Sequence, residues 1–420
     1  MSAPDIHRTI EAVWKIESAR LIAALARIVR DVGLAEELAQ DALVVAMEKW
    51  PEIGLPDNPG AWLMATAKHR AIDHFRRNKL LERKHEELGR ELKGQQESTM
   101  ANFDFSEAHP IEDDLLRLMF VSCHPVLTKE ARLALTLRLL GGLTTQEIAR
   151  AFLVPEPTIA QRIVRAKRTL TEARVPFEVP AGAELGSRLA TVLEVLYLIF
   201  NEGYSATVGD DLMRPALCDD AIRLARILAE LAPNEVEVHG LVALMEIQAS
   251  RTRTRTNAAG EPVLLMDQDR SQWDMLLIQH GLASLRRAEH LKRELGPYTL
   301  QAEIAACHAR AATPEQTDWE RIVAIYNALS QIAGSPIVEL NRAVAVGMAF
   351  GPAEGLEIVD TLRDDPVLKN YHHLPSVRGD LLKKLGRLEE ARVEFERAAS
   401  LTRNERERKF LQGRANSCLS

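Results

Sequence analysis

Five polar or cationic residues recur at helical spacing in one segment of the second quarter of the chain. They are Thr158, Gln161, Arg162, Arg165 and Arg168. In an α-helix these positions share one side of the cylinder. Short polar groups near the start of such a helix approach base edges in the DNA major groove, and cations further along meet phosphates. This pattern therefore predicts DNA recognition, and the alternative is a solvated basic helix without a partner.

The residues that would position this helix have the pattern of a helix-turn-helix. Thr144 is expected to cap a first helix, with Glu147 three residues later as its capping-box partner. Residues 153–156 form the predicted turn, and Pro157 suits the start of the second helix, where its missing N–H costs nothing. The buried side of the second helix is expected to consist of Ile159, Ile163, Ala166 and Leu170.

A second basic helix is predicted from Pro59 to about residue 85. Its candidate DNA-binding residues are Asn58, Trp62, Lys68, His69, Arg70, Arg76 and Arg77, and Lys79, Arg83 and Lys84 add charge. Each phosphate contact releases about one counterion, so binding should weaken as salt rises. The Pro-rich loop that starts at Trp50 is of the kind that could hold a base drawn from the duplex. For Trp50 and Trp62 we favour a core position over base stacking.

The composition predicts several helical domains in a reducing compartment. A chain of 420 residues is too long for one ordinary core, and 5% aromatic residues favour an all-α fold over sheets. The net charge of -7 excludes a uniformly basic surface but not local basic patches. The cysteines, Cys123, Cys218, Cys307 and Cys418, form no CxxC pair. Neither a zinc ribbon nor a disulfide framework is predicted, and a cytoplasmic location fits.

The sequence predicts no enzyme active site, cofactor site, metal site or membrane contact. It contains no phosphate-binding loop, dinucleotide fingerprint, zincin motif or nucleophile elbow. The pairs Cys123–His124 and His372–His373 lack further ligands at metal spacing. The longest apolar stretch, residues 189–200, is interrupted by Glu194 and is too short to span a bilayer.

Charge and periodicity divide the chain into four predicted parts. Residues 1–85 are helical and end in a basic run, residues 86–113 form an acidic linker, residues 114–174 contain the helix-turn-helix, and residues 175–420 are helical. This division makes the chain a linear series of helical modules.

The last part contains a weak internal repeat. Segments beginning at Asp318, Pro352 and Arg387 align at a spacing of about 34 residues, the period of a tetratricopeptide-type helical pair. In this alignment the positions that fall in register are Glu320, Glu354 and Glu389, and Ile322, Leu356 and Ala391. The best unit spans residues 378–401, with Gly386 at its turn and Ala391, Phe395 and Ala398 on one helix face. Such pairs bury their apolar faces by stacking; the alternative is an irregular all-α domain.

Taken together, the first 175 residues resemble the extracytoplasmic-function (ECF) sigma factors of bacterial RNA polymerase. Residues 35–42 (AEELAQDA) are similar to the polymerase-binding helix of that family. Residues 58–63 (NPGAWL) and 71–77 (AIDHFRR) are similar to the parts that melt and read the −10 element. Residues 143–170 are similar to the part that reads the −35 element.

The resemblance implies core RNA polymerase and promoter DNA as partners. It implies that Glu36, Gln40 and Asp41 face the β′ clamp helices, that the helix-turn-helix part docks on the β flap, and that residues 52–58 capture a flipped −10 base. The sequence departs from the family at Leu153, where a turn glycine is usual, and at residues 156–157 and 160–161. We therefore expect an unusual −35 sequence.

The long C-terminal part resembles that of a sigma-factor subgroup with a helical-repeat tail. A possible tail site comprises Asn201, Tyr204, Asp267, Asp269, Arg270 and Trp273. We favour an ion-pair network of Arg270 with the aspartates, including Asp274, that fixes the loop. Gly203 is predicted to end a helix. Residues 251–256 (RTRTRT) are predicted to be a solvated loop, with contact to DNA or polymerase as the alternative.

Three functions are compatible with these features. The first is a sigma factor whose tail is a fused regulator, with an intramolecular contact or a protein as the partner of the repeats. The second is a conventional helix-turn-helix regulator with a repeat-based sensor, and the third is a repeat scaffold. A conventional regulator does not need the polymerase-binding helix and base-capturing loop that precede its reader, so we favour the first. We also expect the tail to be required for activity or to set its level.

Overall fold

The computed structural model of the chain describes residues 3–90, 111–152, 154–205, 213–257, 261–402 and 404–419. In these ranges the regular structure is helical apart from short turns and isolated β-bridges, of which one joins Thr256 to Pro262. The predicted all-α class is confirmed. Residues 91–110, the centre of the predicted acidic linker, lie outside the described ranges. Among the described residues, no helix has both the length and the apolar character needed to cross a bilayer.

The chain forms two compact units, Met1–Val195 and Leu196–Ser420. The α-helices described in the first unit are α1 (Ala3–Val29), α2 (Val32–Ile53), α3 (Pro59–Arg90), α4 (Ile111–Ser122), α5 (Lys129–Leu139), α6 (Thr145–Phe152), α7 (Glu156–Glu172) and the first part of α8 (Ala183–Tyr204). Helix α1 packs against α2, α3 and α4, while α5 and α6 pack against α7. The two predicted DNA-binding segments thus lie on α3 and α7.

The predicted helix-turn-helix is formed by α6 and α7. Glu147 accepts hydrogen bonds from the Thr144 backbone N–H at 2.7 Å and from its hydroxyl at 2.9 Å, and Thr144 Oγ1 accepts from the Glu147 N–H at 3.1 Å. This is the predicted capping box. The four apolar residues predicted to face inward on α7 are buried: Ile159, Ile163, Ala166 and Leu170. Their burial determines which side of α7 remains exposed.

The second unit is a series of helices that pack on their neighbours in chain order. After the end of α8, its α-helices in the described ranges are α9 (Pro215–Leu231), α10 (Val236–Ala249), α11 (Met275–His290), α12 (Pro297–Arg310), α13 (Trp319–Ala333), α14 (Pro336–Ala349), α15 (Pro352–Thr361), α16 (His373–Lys384), α17 (Leu388–Leu401) and α18 (Glu405–Asn416). Helix α10 is buried along most of its length between α9, α11 and α12. From α12 onward each helix packs on the next.

The predicted repeat is confirmed by this stacking. Helices α13, α15 and α17 begin within one residue of the three aligned segment starts. The apolar positions in register are buried in all three: Ile322, Leu356 and Ala391. Gly386, with φ of 75°, turns the chain between α16 and α17, and Phe395 and Ala398 are completely buried on α17. The tail is therefore an array of tetratricopeptide-like helical pairs.

The prediction that Gly203 ends a helix is wrong, because α8 continues to Tyr204. A Cβ atom on Gly203 would lie 2.8 Å from the backbone nitrogen of Cys218 and 2.9 Å from its Sγ. The close approach of α9 therefore requires a residue without a side chain at this position. A glycine near the end of an apolar run fits a helix end and a tight helix contact equally well, which explains the error.

Candidate nucleic-acid interface

Helix α7 exposes a row of residues opposite its buried stripe. Gln161, Arg165 and Arg168 are exposed, and Thr158 at the start of the row is half-buried. Arg162 differs from them because it is half-buried and lines a small cavity with Glu130 of α5. Four of the five predicted residues thus share one accessible row, with Arg162 at its edge. Val164, 64% exposed, is an apolar neighbour that the charge pattern did not indicate.

Helix α3 carries the second basic surface. His69, Arg70, Arg76 and Arg77 are exposed, and Lys68 is half-buried. The further cations Lys79, Arg83 and Lys84 lie in the part of α3 whose side chains are outside the described ones. The exposed cations cluster within about two turns, which suits contact with a phosphate backbone.

The loop before α3 is shorter than the sequence predicts. Helix α2 continues through Pro51 to Ile53, where Gly54, with φ of 84°, ends it and donates its N–H to the Trp50 carbonyl at 3.0 Å. Ile53 at the end of α2 and Leu55 in the loop are 66% and 42% exposed, so apolar side chains face the surroundings here. An exposed apolar loop beside a basic helix is suited to contact an unstacked base.

Three of the aromatic and polar residues near this loop have structural contacts. Trp50 is completely buried, which places it in the core, and Trp62 packs edge-on against it with ring centroids 5.4 Å apart. Asn58 Oδ1 accepts the Ala61 N–H at 3.0 Å and so caps α3. Trp62 remains half-buried. Asn58 and Trp62 therefore help to shape the loop, whatever else they bind.

Glu36 of α2 is buried against the helix-turn-helix. Arg138 of α5 donates its Nε to Glu36 Oε1 at 2.6 Å, and Lys167 of α7 forms an ion pair with Oε2. Gln40 donates to Oε1 at 2.6 Å. The carboxylate thus joins α2 to α5 and α7 of the first unit. We call Glu36, Arg138 and Lys167 the Glu36 cluster.

Further polar contacts lie beside the Glu36 cluster. The Thr171 hydroxyl donates to Asp31 Oδ2 at 2.8 Å. Arg27 of α1 pairs with the buried Asp114 of α4 at 3.1 Å. These contacts join residues that are 140 and 87 positions apart, so sequence periodicity could not reveal them.

The accessible side of α2 contains different residues from Glu36. Asp41 is exposed and Gln40 is half-buried. Beside Asp41, the exposed side of α2 carries Val44 and Met47, which are 52% and 44% exposed, and the acids Glu37 and Glu48. An exposed apolar pair with an acidic rim is typical of a protein-binding surface. Apart from Asp41, sequence reasoning missed these residues.

The possible tail site is a hydrogen-bonded assembly around residues 254–255. Arg255 lies over the Tyr204 ring, with its guanidinium carbon 3.6 Å from the ring centroid. Thr254 accepts a hydrogen bond from Trp273 Nε1 at 3.1 Å. The segment RTRTRT is thus packed on the two aromatic residues, and the prediction of a solvated loop there is wrong. Cation–π attraction and the buried Thr254 hydroxyl replace solvation.

Arg270 holds the tail loop through hydrogen bonds to uncharged groups. Its Nη1 donates to the carbonyls of His308 and Ala311 at 2.8 and 2.7 Å, and its Nη2 donates to Thr317 Oγ1 at 3.1 Å. Asp269 accepts from Ser271 instead. The predicted ion-pair network is wrong because, among the described contacts of this loop, the guanidinium satisfies backbone carbonyls and no aspartate pairs with it.

The other residues predicted for the tail site take part in local structure. Asp274 caps α11 by accepting the N–H groups of Leu276 and Leu277, and Asn201 accepts the Ser205 N–H through its carbonyl at 2.8 Å. Tyr204 stacks on Phe200 with ring centroids 5.5 Å apart. Asp267 ends a short 3-10 turn. Of the predicted residues, Tyr204 and Arg270 have contacts that fix the loop against α8 and α12, within the second unit.

Three family models match parts of the chain. The model described as Sigma-70 region 2 matches residues 16–80, which include α2 and the basic part of α3. The model described as Sigma-70, region 4 matches residues 117–170, which include the helix-turn-helix. A family of unknown function (DUF6596) matches residues 188–289, which include the Tyr204, Arg255 and Trp273 assembly.

The proteins similar to the chain include two curated relatives and one solved structure. An uncharacterized protein of Rhizobium meliloti is 44% identical over 390 residues, which cover 93% of this chain and 91% of the relative. A protein of Mycobacterium tuberculosis, named probable ECF RNA polymerase sigma factor SigI, is 24% identical over 45% of this chain and 68% of its own length. The crystal structure of yeast Tom70 aligns with 92% of this chain and 81% of its own, at 12% identity and a TM-score of 0.38, which is too weak to support an argument.

Proposed function

Because the chain belongs to the ECF type of the sigma-70 family, in a subgroup with a long C-terminal helical extension, we propose that it binds core RNA polymerase and directs it to specific promoters. As a sigma factor it is an initiation factor for transcription and not an enzyme. In this proposal residues 1–85 bind core and open the −10 element, residues 114–174 read the −35 element, residues 86–113 link them, and residues 175–420 regulate. Its site of action is the cytoplasm, with the polymerase.

The observation that carries this proposal is the exposed row of α7. Gln161, Arg165 and Arg168 point away from the buried stripe of a helix that is the second of a capped helix-turn-helix. Gln161 lies in the first half of α7, where an amide can reach base edges, and the two arginines follow it toward the phosphates. Arg162, which is half-buried beside Glu130, would instead help to position α7.

The −10 element would meet α3 and the loop before it. His69, Arg70, Arg76 and Arg77 would hold the phosphates, and the exposed apolar residues Ile53 and Leu55 would contact the displaced base. Withdrawing a base from the stack costs a few kcal/mol, which contact with apolar side chains can offset. Asn58 would keep this loop in place by capping α3.

The core polymerase would dock on the exposed side of α2, through Asp41 with Val44 and Met47. Glu36 can reach the same partner only after Arg138 and Lys167 release it. We therefore propose that the first unit is closed in the free chain and opens when core binds, with region 4 then free to meet the β flap. The apparent affinity for core is lowered by the fraction of molecules that are closed.

The function of the tail has to be tested in the complete chain. A truncation after Arg174 would also remove α8, whose Arg188 is buried and donates to the Phe120 carbonyl at 2.9 Å. It would also remove Glu194, which pairs with Lys129 at 3.1 Å. Such a truncation would damage the first unit itself. Point changes at Trp273 or Arg255, which hold the tail loop, separate the two effects.

The test is run-off transcription with reconstituted core polymerase on fragments of the source genome. The proposal predicts discrete transcripts with the wild-type chain and their loss with Arg165→Ala. Arg174→Ala, the matched control at an exposed arginine beyond the end of α7, should remain active. Trp273→Leu should change the amount of transcript without moving its start sites if the tail regulates. A chain that yields no transcripts, yet binds specific DNA without core, would be a conventional helix-turn-helix regulator.

A further inference from the structure

Three potential metal ligands converge at the start of the last helical pair of the tail. His372 precedes α16, His373 is its first residue, and Glu407 lies in the first turn of α18. One ligand atom from each residue can be chosen so that all three lie within 4.8 Å of one another. The sequence shows only the two adjacent histidines, because Glu407 lies 34 positions later in the chain.

The contact between His372 and Glu407 has the dimensions of a shared metal site. His372 Nε2 lies 3.1 Å from Glu407 Oε2, yet this nitrogen is buried and makes no hydrogen bond of good geometry. In a tetrahedral zinc site with bonds of about 2.0–2.1 Å, two ligand atoms are about 3.3 Å apart. The two atoms are thus spaced like ligands of one ion.

The third ligand, His373, can reach the same ion. His373 is exposed, so its ring can rotate toward the ion without disturbing the core. Its centroid is already 4.0 Å from that of His372. The Thr402 hydroxyl donates to Glu407 Oε2 at 2.7 Å and fixes the carboxylate, as groups around metal sites commonly do.

We propose that His372, His373 and Glu407 bind one divalent transition-metal ion, with Zn²⁺ as the best fit, and that the ion joins α16 to α18. Two imidazoles and one carboxylate are a common zinc donor set, and the exposed side leaves a fourth position for water. The four cysteines are buried and are poor competitors for the ion. The alternative state of the three residues is a metal-free His372–Glu407 ion pair.

The test is a titration of the metal-free full-length chain with Zn²⁺ by calorimetry and with Co²⁺ by visible absorption. We expect one ion per chain, tetrahedral Co²⁺ bands, and a higher melting temperature with Zn²⁺. His373→Ala and Glu407→Gln should each weaken binding at least about 100-fold, since the first removes a ligand and the second replaces a charged ligand with a neutral amide. His290→Ala, which removes an exposed histidine of α11, should leave binding unchanged.

Either of two binding results would overturn the proposal of a metal site. A wild-type chain that binds no Zn²⁺ at about 10 μM, or variants that bind as tightly as wild type, would leave only the ion pair. Circular dichroism and melting of each variant without metal separate a lost ligand from a lost fold. Because the readout is metal binding, this outcome does not depend on whether the chain directs transcription.

Discussion

Replacing Lys167 with Met tests whether the Glu36 cluster holds the first unit closed. The Lys167 ammonium pairs with Glu36 Oε2, and its stem passes beside Gly33, so Met retains the apolar contact and removes only the charge. Hydrogen bonds to charged groups contribute about 1.5–3 kcal/mol. Arg138, which lies 2.6 Å from Glu36, should still pair with it in the variant, so the closed state should lose about 2 kcal/mol rather than the cost of a fully unpaired carboxylate.

A loss of about 2 kcal/mol from the closed state raises the ratio of open to closed molecules by about 30-fold. If core binds only the open form, Lys167→Met should tighten apparent binding to core by up to this factor. Binding is measured by fluorescence anisotropy of the labelled full-length chain titrated with core polymerase. Hydrogen exchange of residues 33–37 in the free chain gives a second readout, and these amides should exchange faster in the variant.

The matched control for this experiment is Arg168→Met. Arg168 is the next residue on α7, but it is exposed and pairs only with Glu172 on its own helix among the described contacts. The Arg168→Met substitution removes one positive charge from α7, as Lys167→Met does, without changing a partner of Glu36. Two results together would show that the Glu36 cluster does not control opening. Wild type and Lys167→Met would bind core with affinities within twofold of each other, and the amides of α2 would not exchange faster in the variant.

The other predictions concern DNA contact, tail stability and acid sensitivity. Arg165→Ala should lower the slope of log binding constant against log salt by about 0.9 if it meets one phosphate, and an unchanged slope in promoter-complex titrations would remove that contact. Arg378→Met leaves buried Glu394 without its cation at 2.8 Å and should cost about 3–5 kcal/mol in urea unfolding, while a cost under about 1 kcal/mol would contradict this reading. Burial, with Arg251 and Arg270 nearby, lowers the pKa of His308 from 6.5 to about 4. Between these two pH values His308 binds more protons in the unfolded chain than in the folded chain. The free energy of unfolding should therefore fall by at most about 3 kcal/mol as the pH falls from 6.5 to 4. In His308→Gln, thermal melts should show a weaker dependence of stability on pH.

Local features of the fold could be predicted from the sequence because their causes are local. Thr144 and Glu147 are three residues apart, so their capping box depends only on spacing. Ala391, Phe395 and Ala398 occupy one face of a helix at intervals of three and four, and all three are completely buried. Periodicity contains this information because a helix needs one apolar stripe to pack.

Contacts between distant residues could not be predicted in the same way. Glu36 has the charge and position of an exposed binding residue, and only the fold shows that Arg138, 102 positions away, neutralises it. Arg255 and Tyr204 are 51 positions apart, so the segment RTRTRT has the composition of a solvated loop although its arginine lies on a ring. Composition predicts the average surroundings of a residue type, whereas these residues are defined by their particular partners.

Promoter binding with and without core polymerase is the measurement that tests the central claim most directly. Labelled promoter DNA, identified from the run-off start sites, is titrated with the full-length chain alone and with the chain bound to core. We predict sequence-specific binding only in the presence of core, since the free chain is closed by Glu36 and its partners. Specific binding of equal strength without core would contradict the account.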